Sequence, residues 1–202
     1  MKKAIFGLAI AATSLVSCGS QSNKSARNQD KGSDKQAVSQ TGNGTAKTAT
    51  VTDVKNTVSI KEIVNQYLII KNGLANDNGQ VAANGGKAFV KSIGKRDTKS
   101  FTAEQKKIWD DITPDAKEMA EHIGANPDKL EHQREHFEIL SKDLYDLVKA
   151  FGGGQVLYKD FDPMYNGGKG AFWLSESKEI KNPYMGKAMF DSGSVKEEIK
   201  YP

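Results

Sequence analysis

Between residues 57 and 151 apolar side chains return every three or four positions, a period that commits this part of the chain to amphipathic helices. Ile60, Ile63, Val64, Tyr67, Ile70 and Leu74 fall on one face of a helix over about 59–75, and Ser59 with Glu62 has the spacing of a capping box at its start. Val81, Ala88, Phe89 and Ile93 predict a second helix over 77–93. It carries Gly79, Gly85 and Gly86, each about 1 kcal/mol less favourable than alanine in a helix interior. Thr102 and Gln105 repeat the capping pattern ahead of Ile108, Trp109, Ile112, Met119 and Ile123; Pro114 either kinks this helix or opens a new one behind Thr113. Asn126-Pro127 opens the last helix, which carries Leu130, Phe137, Leu140, Leu144, Val148 and Phe151 to a stop at Gly152-Gly153-Gly154. Helices of this length joined by short connections predict an antiparallel four-helix bundle.

The character changes after the glycines. Residues 155–161 and 170–174 read as short strands and 194–201 as a third, with Asn166, Gly167, Gly168, Asn182-Pro183 and Gly193 supplying turns. The fold class is therefore mainly α, of the α+β kind: a helical bundle followed by a small C-terminal β-containing segment (155–202) within one domain over 57–202.

Ahead of the domain, residues 1–17 read as a secretory signal peptide, with Lys2 and Lys3 before an apolar run shorter than the roughly 20 residues that span a bilayer. Leu15, Val16, Ser17 and Cys18 look like a bacterial lipobox, so Cys18 is the expected lipidation site and membrane anchor. It is the one cysteine of the chain, and the mature domain then has no thiol for a disulfide or a thiolate ligand. Residues 18–56, rich in Ser, Thr, Asn, Gln, Gly and Lys, are expected to form a disordered tether with a reach of about 34 Å. The chain carries a net charge of +4, but residues 57–202 hold 21 basic and 22 acidic side chains, so the excess lies in signal and tether. A domain without a basic stripe or interleaved aromatics is not built for nucleic acid. No acidic cluster follows Cys18, which favours the periplasmic side over the cell surface.

Two groups of residues carry candidate chemistry. His132, Gln133, Arg134, Glu135 and His136 match the H-x-x-E-H pattern in which two histidines one turn apart hold zinc and the glutamate serves as base, a pattern of common surface residues that also arises by chance. Helical angles put His136 at the edge of the apolar stripe, as a structural histidine or a ligand, and His132 on the wet side. In the C-terminal segment Met164, Met185 and Met189 stand among Trp173, Tyr184 and Phe190. Such methionines are core filler or, through their thioethers, ligands for Cu(I). No nucleophile with a paired base, phosphate loop or carboxylate constellation stands out, and an enzyme is not expected.

QREHF at 133–137 with Leu140-Ser141, Tyr158, Pro163-Met164, GKGAFWLS at 168–175 and IKNPYMGKAM at 180–189 together resemble an uncharacterised Gram-negative envelope lipoprotein domain of unknown function. Relatives of that domain also occur as C-terminal extensions of periplasmic adaptors in copper and silver efflux systems. The resemblance implies a helical domain with a metal-associated C-terminal segment, in the setting of heavy-metal handling. Its pattern has Cys-Pro-Met and a later Cys-Gly where this chain has Asp162-Pro163-Met164 and Ser192-Gly193, so no thiolate site carries over. His136, Met164 and Met189 transfer as metal candidates, with His132, Met185 and Asp162 in secondary place. Two functions are expected from this reading. One is a periplasm-facing lipoprotein that binds or delivers a heavy metal, copper first, alongside efflux components; the other is a non-catalytic interaction module of an envelope or efflux assembly that has lost the metal site.

Overall fold

A computed structural model describes residues 59–201; the expected signal peptide, Cys18 and the tether lie outside the described residues. Four long helices form where the periodicity predicts them: α1 (Lys61–Ala75), α2 (Gly79–Gly94), α3 (Ala103–Ala125) and α4 (Leu130–Phe151). The two expected capping boxes part ways. At α3 the Thr102 hydroxyl accepts the Gln105 backbone N–H at 3.1 Å while the Gln105 side-chain Oε1 accepts the Thr102 N–H at 3.0 Å. At α1 the residue before the first turn is Ile60, so Ser59 sits one position too early. Its hydroxyl accepts from Lys61 N–H, and Glu62 accepts from Gln66 instead. Pro114 lies inside an unbroken α3, and beside it the Thr113 hydroxyl donates to the Trp109 carbonyl at 2.7 Å.

The glycines of α2 stand where neighbouring helices approach closely. A Cβ on Gly85 would lie 2.8 Å from Ile70 Cγ1 and 2.9 Å from Ile70 N in α1, and one on Gly86 would lie 2.6 Å from the Ala120 carbonyl oxygen in α3. The propensity lost at these positions is returned as close packing on both neighbours. The bundle core stacks Tyr67 on Phe137 at 4.9 Å and gathers Phe101, Trp109 and Phe151 at its other end.

The C-terminal segment forms a three-stranded antiparallel sheet of β1 (Leu157–Asp162), β2 (Ala171–Ser175) and β3 (Ser194–Ile199) in the order β2-β1-β3. Trp173 and Leu174 of β2 are fully buried. The hydroxyl of Tyr67 ties the layers together, within 2.8 Å of the Ser141 hydroxyl and accepting the Leu174 N–H at 3.0 Å. A one-turn helix, Tyr165–Gly168, and a 3-10 turn, Gly186–Met189, connect the strands. Among the described residues no helix is long and apolar enough to cross a membrane.

Candidate metal centre

The short connection between α3 and α4 brings the end of one helix beside the start of the next. His132 and His136 are one turn apart on α4 and share a side of it; His122 stands in the last turn of α3, three residues after Met119. One ligating atom from each of His122, His132 and His136 lies within 4.8 Å of the others. The Nε2 atoms of His132 and His136 are 3.1 Å apart, the His122 ring stacks on His136 at 4.4 Å and 11°, and His136 Nδ1 meets Met119 Sδ at 3.2 Å. Two imidazoles on one ion at 2.0–2.1 Å have their nitrogens about 3.3 Å apart in tetrahedral geometry, close to the His132–His136 spacing. A ligating ring must hold the ion near its own plane, so the His122 ring has to turn out of its parallel stack. At 45 % side-chain exposure it has room to do so.

Burial sets the state of the central ring, His136. Burial, and then the neighbouring His132 and His122, hold the His136 imidazolium below the usual histidine range, which leaves a lone pair available for a metal. Glu135 lies 3.8 Å from His132 Nδ1 and Glu118 lies 3.9 Å from His122 Nε2. At these distances neither carboxylate hydrogen-bonds a ring; both place negative charge beside the cluster, which would offset part of the charge of an ion held there. The C-terminal end of α3 puts negative dipole charge beside His122, while the N-terminal end of α4 puts positive dipole charge beside His132.

Two of the five residues from His132 to His136 serve the fold. Gln133 and Arg134 are buried and committed to partners within the fold. Gln133 donates to the carbonyls of Gly79 and Ile123, and Arg134 donates to Pro183 and Leu74 carbonyls and to Asp77. Glu135 is 71 % exposed and lies on the Nδ1 side of His132, whereas Nε2 of that ring faces His136.

Of the residues singled out from sequence, His136 and His132 are brought together; His132, expected on the wet side, keeps 36 % of its side chain exposed and has the His122 ring of α3 5.9 Å away. Met164, Met185 and Met189 lie elsewhere. Asn166, two residues after Met164, donates to Glu138, and Glu138 is about 200° around α4 from His136. The turn carrying Met189 is bound through Lys187 N–H to Asp77, the partner of Arg134, again across α4 from the histidines. Met164 is 57 % exposed, Met189 is exposed and Met185 half-buried. The thioether set expected around His136 is not gathered there; the sulfur against His136 belongs to Met119. Asp162 is buried and already used, its two oxygens accepting from Met164 N–H and from Asn182, both at 2.7 Å. Asn182 also donates to the Ser192 hydroxyl at 2.8 Å, so a hydrogen-bonded bridge joins the two positions at which the resemblance has cysteines.

His122 and Met119 were missed by sequence reasoning. The available clue was the helical hairpin itself: counting outward from Asn126-Pro127 sets 122 opposite about 132, because both helices rise 1.5 Å per residue.

Fold and site thus define a helical-bundle domain with a three-histidine cluster between α3 and α4. Residues 63–155, which contain all four helices from Ile63 onward, match the family model described as "Protein of unknown function (DUF3347)". The resemblance to an uncharacterised domain therefore holds over this stretch. No curated protein and no solved structure matches the chain.

Proposed function

We propose that this protein is an envelope lipoprotein, anchored through Cys18 on the periplasmic side, whose folded domain binds a transition-metal ion at His122, His132 and His136 without catalysing a reaction. Copper is the ion proposed first, and heavy-metal efflux components are the partners the resemblance points to. The observation that carries the reading is the convergence of three imidazole nitrogens from two helices within 4.8 Å. Three imidazoles suit Cu(II) and Zn(II), and Cu(II) binds the more tightly to a given nitrogen set. The His122 ring, half in solvent, leaves a path for the ion to enter and leave, as delivery requires.

Calorimetric titration of the full chain in detergent tests this. One Cu(II) or Zn(II) per chain is expected, Cu(II) the tighter, with uptake lost in the His132→Ala/His136→Ala double variant. If the wild type takes neither ion from a weak chelator, the metal reading fails. The non-catalytic interaction module is then the function to pursue.

A further inference from the structure

His136 presents both ring nitrogens to metal-capable neighbours: Nε2 to His132 Nε2 at 3.1 Å, and Nδ1 to Met119 Sδ at 3.2 Å. A neutral imidazole has one basic nitrogen, so it serves one side at a time. The two sides differ in softness. The Nε2 side has imidazoles only, whereas the Nδ1 side has a thioether, which selects Cu(I). Met119 is 8 % exposed, so its sulfur is held out of water against the core. Nitrogen and sulfur sharing an ion at about 2.0 and 2.3 Å are on the order of 3.5 Å apart at a tetrahedral angle, within a few tenths of an ångström of the spacing here.

Resting on the metal-binding reading above, we infer that His136 is a two-sided ligand: with His132 and His122 it holds a divalent ion through Nε2, and with Met119 it holds Cu(I) through Nδ1, each excluding the other. His122, one turn beyond Met119 and stacked on His136, is at hand as a third donor on the Cu(I) side. Binding of Cu(I) at Nδ1 moves the imidazole proton to Nε2, and no electron transfer is involved.

The test is a double dissociation on the full chain in detergent. Cu(I) affinity is measured anaerobically by competition with a chromogenic Cu(I) chelator, and Zn(II) affinity by a separate competition. Met119→Leu, which keeps the side-chain volume, should weaken Cu(I) by about tenfold or more and leave Zn(II) within about twofold; His132→Ala should do the reverse. In the wild type Zn(II) should compete with Cu(I), and X-ray absorption of the Cu(I)-loaded protein should show a sulfur neighbour that Met119→Leu removes. If Met119→Leu weakens both ions in parallel, Met119 only orients His136 and the inference falls. It also falls if His132→Ala abolishes Cu(I) uptake, or if wild type binds Zn(II) but not Cu(I). Those outcomes leave the three-histidine site standing, whereas failure to bind Zn(II), Cu(II) and Cu(I) alike removes both readings.

Discussion

Replacing Arg134 by methionine should cost the domain about 3–4 kcal/mol while leaving the histidine cluster in place. The guanidinium side chain is 6 % exposed and reaches three parts of the fold: Nε donates to the Pro183 carbonyl at 3.0 Å, and Nη2 donates to Asp77 at 2.6 Å and to the Leu74 carbonyl at 3.3 Å. Its second ion pair, to Glu131, contributes little, because that carboxylate is 82 % exposed. Losing one partner of a buried pair costs about 3–5 kcal/mol, mostly from buried acceptors left without donors. Two considerations lower the figure: Asp77 is a third exposed and keeps the Lys187 N–H, and methionine refills part of the volume. For a domain of this size the loss corresponds to a fall in Tm of about 10 °C. Urea unfolding with an unchanged slope measures it. Because His132 and His136 face α3 on the other side of α4, the folded variant should still take up Zn(II) or Cu(II) as the wild type does. A cost under about 1 kcal/mol would refute the claim that Arg134 holds the C-terminal segment to the bundle. Loss of metal uptake from a still-folded variant would refute the division of α4 into two faces.

Asp160 is fully buried and its carboxylate oxygens accept no hydrogen bond among the described residues; burial pushes its carboxyl up to about 7, with Lys71 opposing and Glu176 adding to the rise. A carboxyl raised in the folded state contributes stability that is complete below the unfolded value of about 4 and is lost as pH rises to about 7, so Asp160→Asn should gain on wild type by about 2–4 kcal/mol across that window. Denaturation midpoints of the two proteins at pH 4, 6 and 8 give the difference, and a constant gap would contradict it. Gly86→Ala, which helix propensity alone would favour, should instead destabilise by about 1–3 kcal/mol, because its Cβ would lie 2.6 Å from the Ala120 carbonyl oxygen; a raised Tm would overturn this. Cys18→Ala should release the chain from the membrane fraction or leave it unprocessed, with the stability of the domain unaltered. Membrane fractionation like that of wild type would reject the lipid anchor.

What could be read from the sequence was whatever depends on neighbours a few residues apart. The stripe from Ile63 to Leu74, the Thr102–Gln105 box and the stop at Gly152 are set by the helical repeat and by local hydrogen bonds, and the helices stand where these put them. Likewise His132 and His136 were legible as a pair, since i and i+4 meet on any helix. Contacts between elements were not legible in this way. Gly85 and Gly86 look like flaws in a helix until α1 and α3 are seen against them. Ser59 and Glu62 satisfy a pattern whose position the fold shifts by one residue. Soft-ligand chemistry pointed to Met164 and Met189, but chemistry carries no distance: the C-terminal segment packs on the Glu138 and Arg134 side of α4, while His122 and Met119 reach His136 from α3. The residue types of the candidate metal centre were in the sequence from the start. Which of them meet was decided by the burial of apolar faces, and this places each polar group according to where its helix must pack.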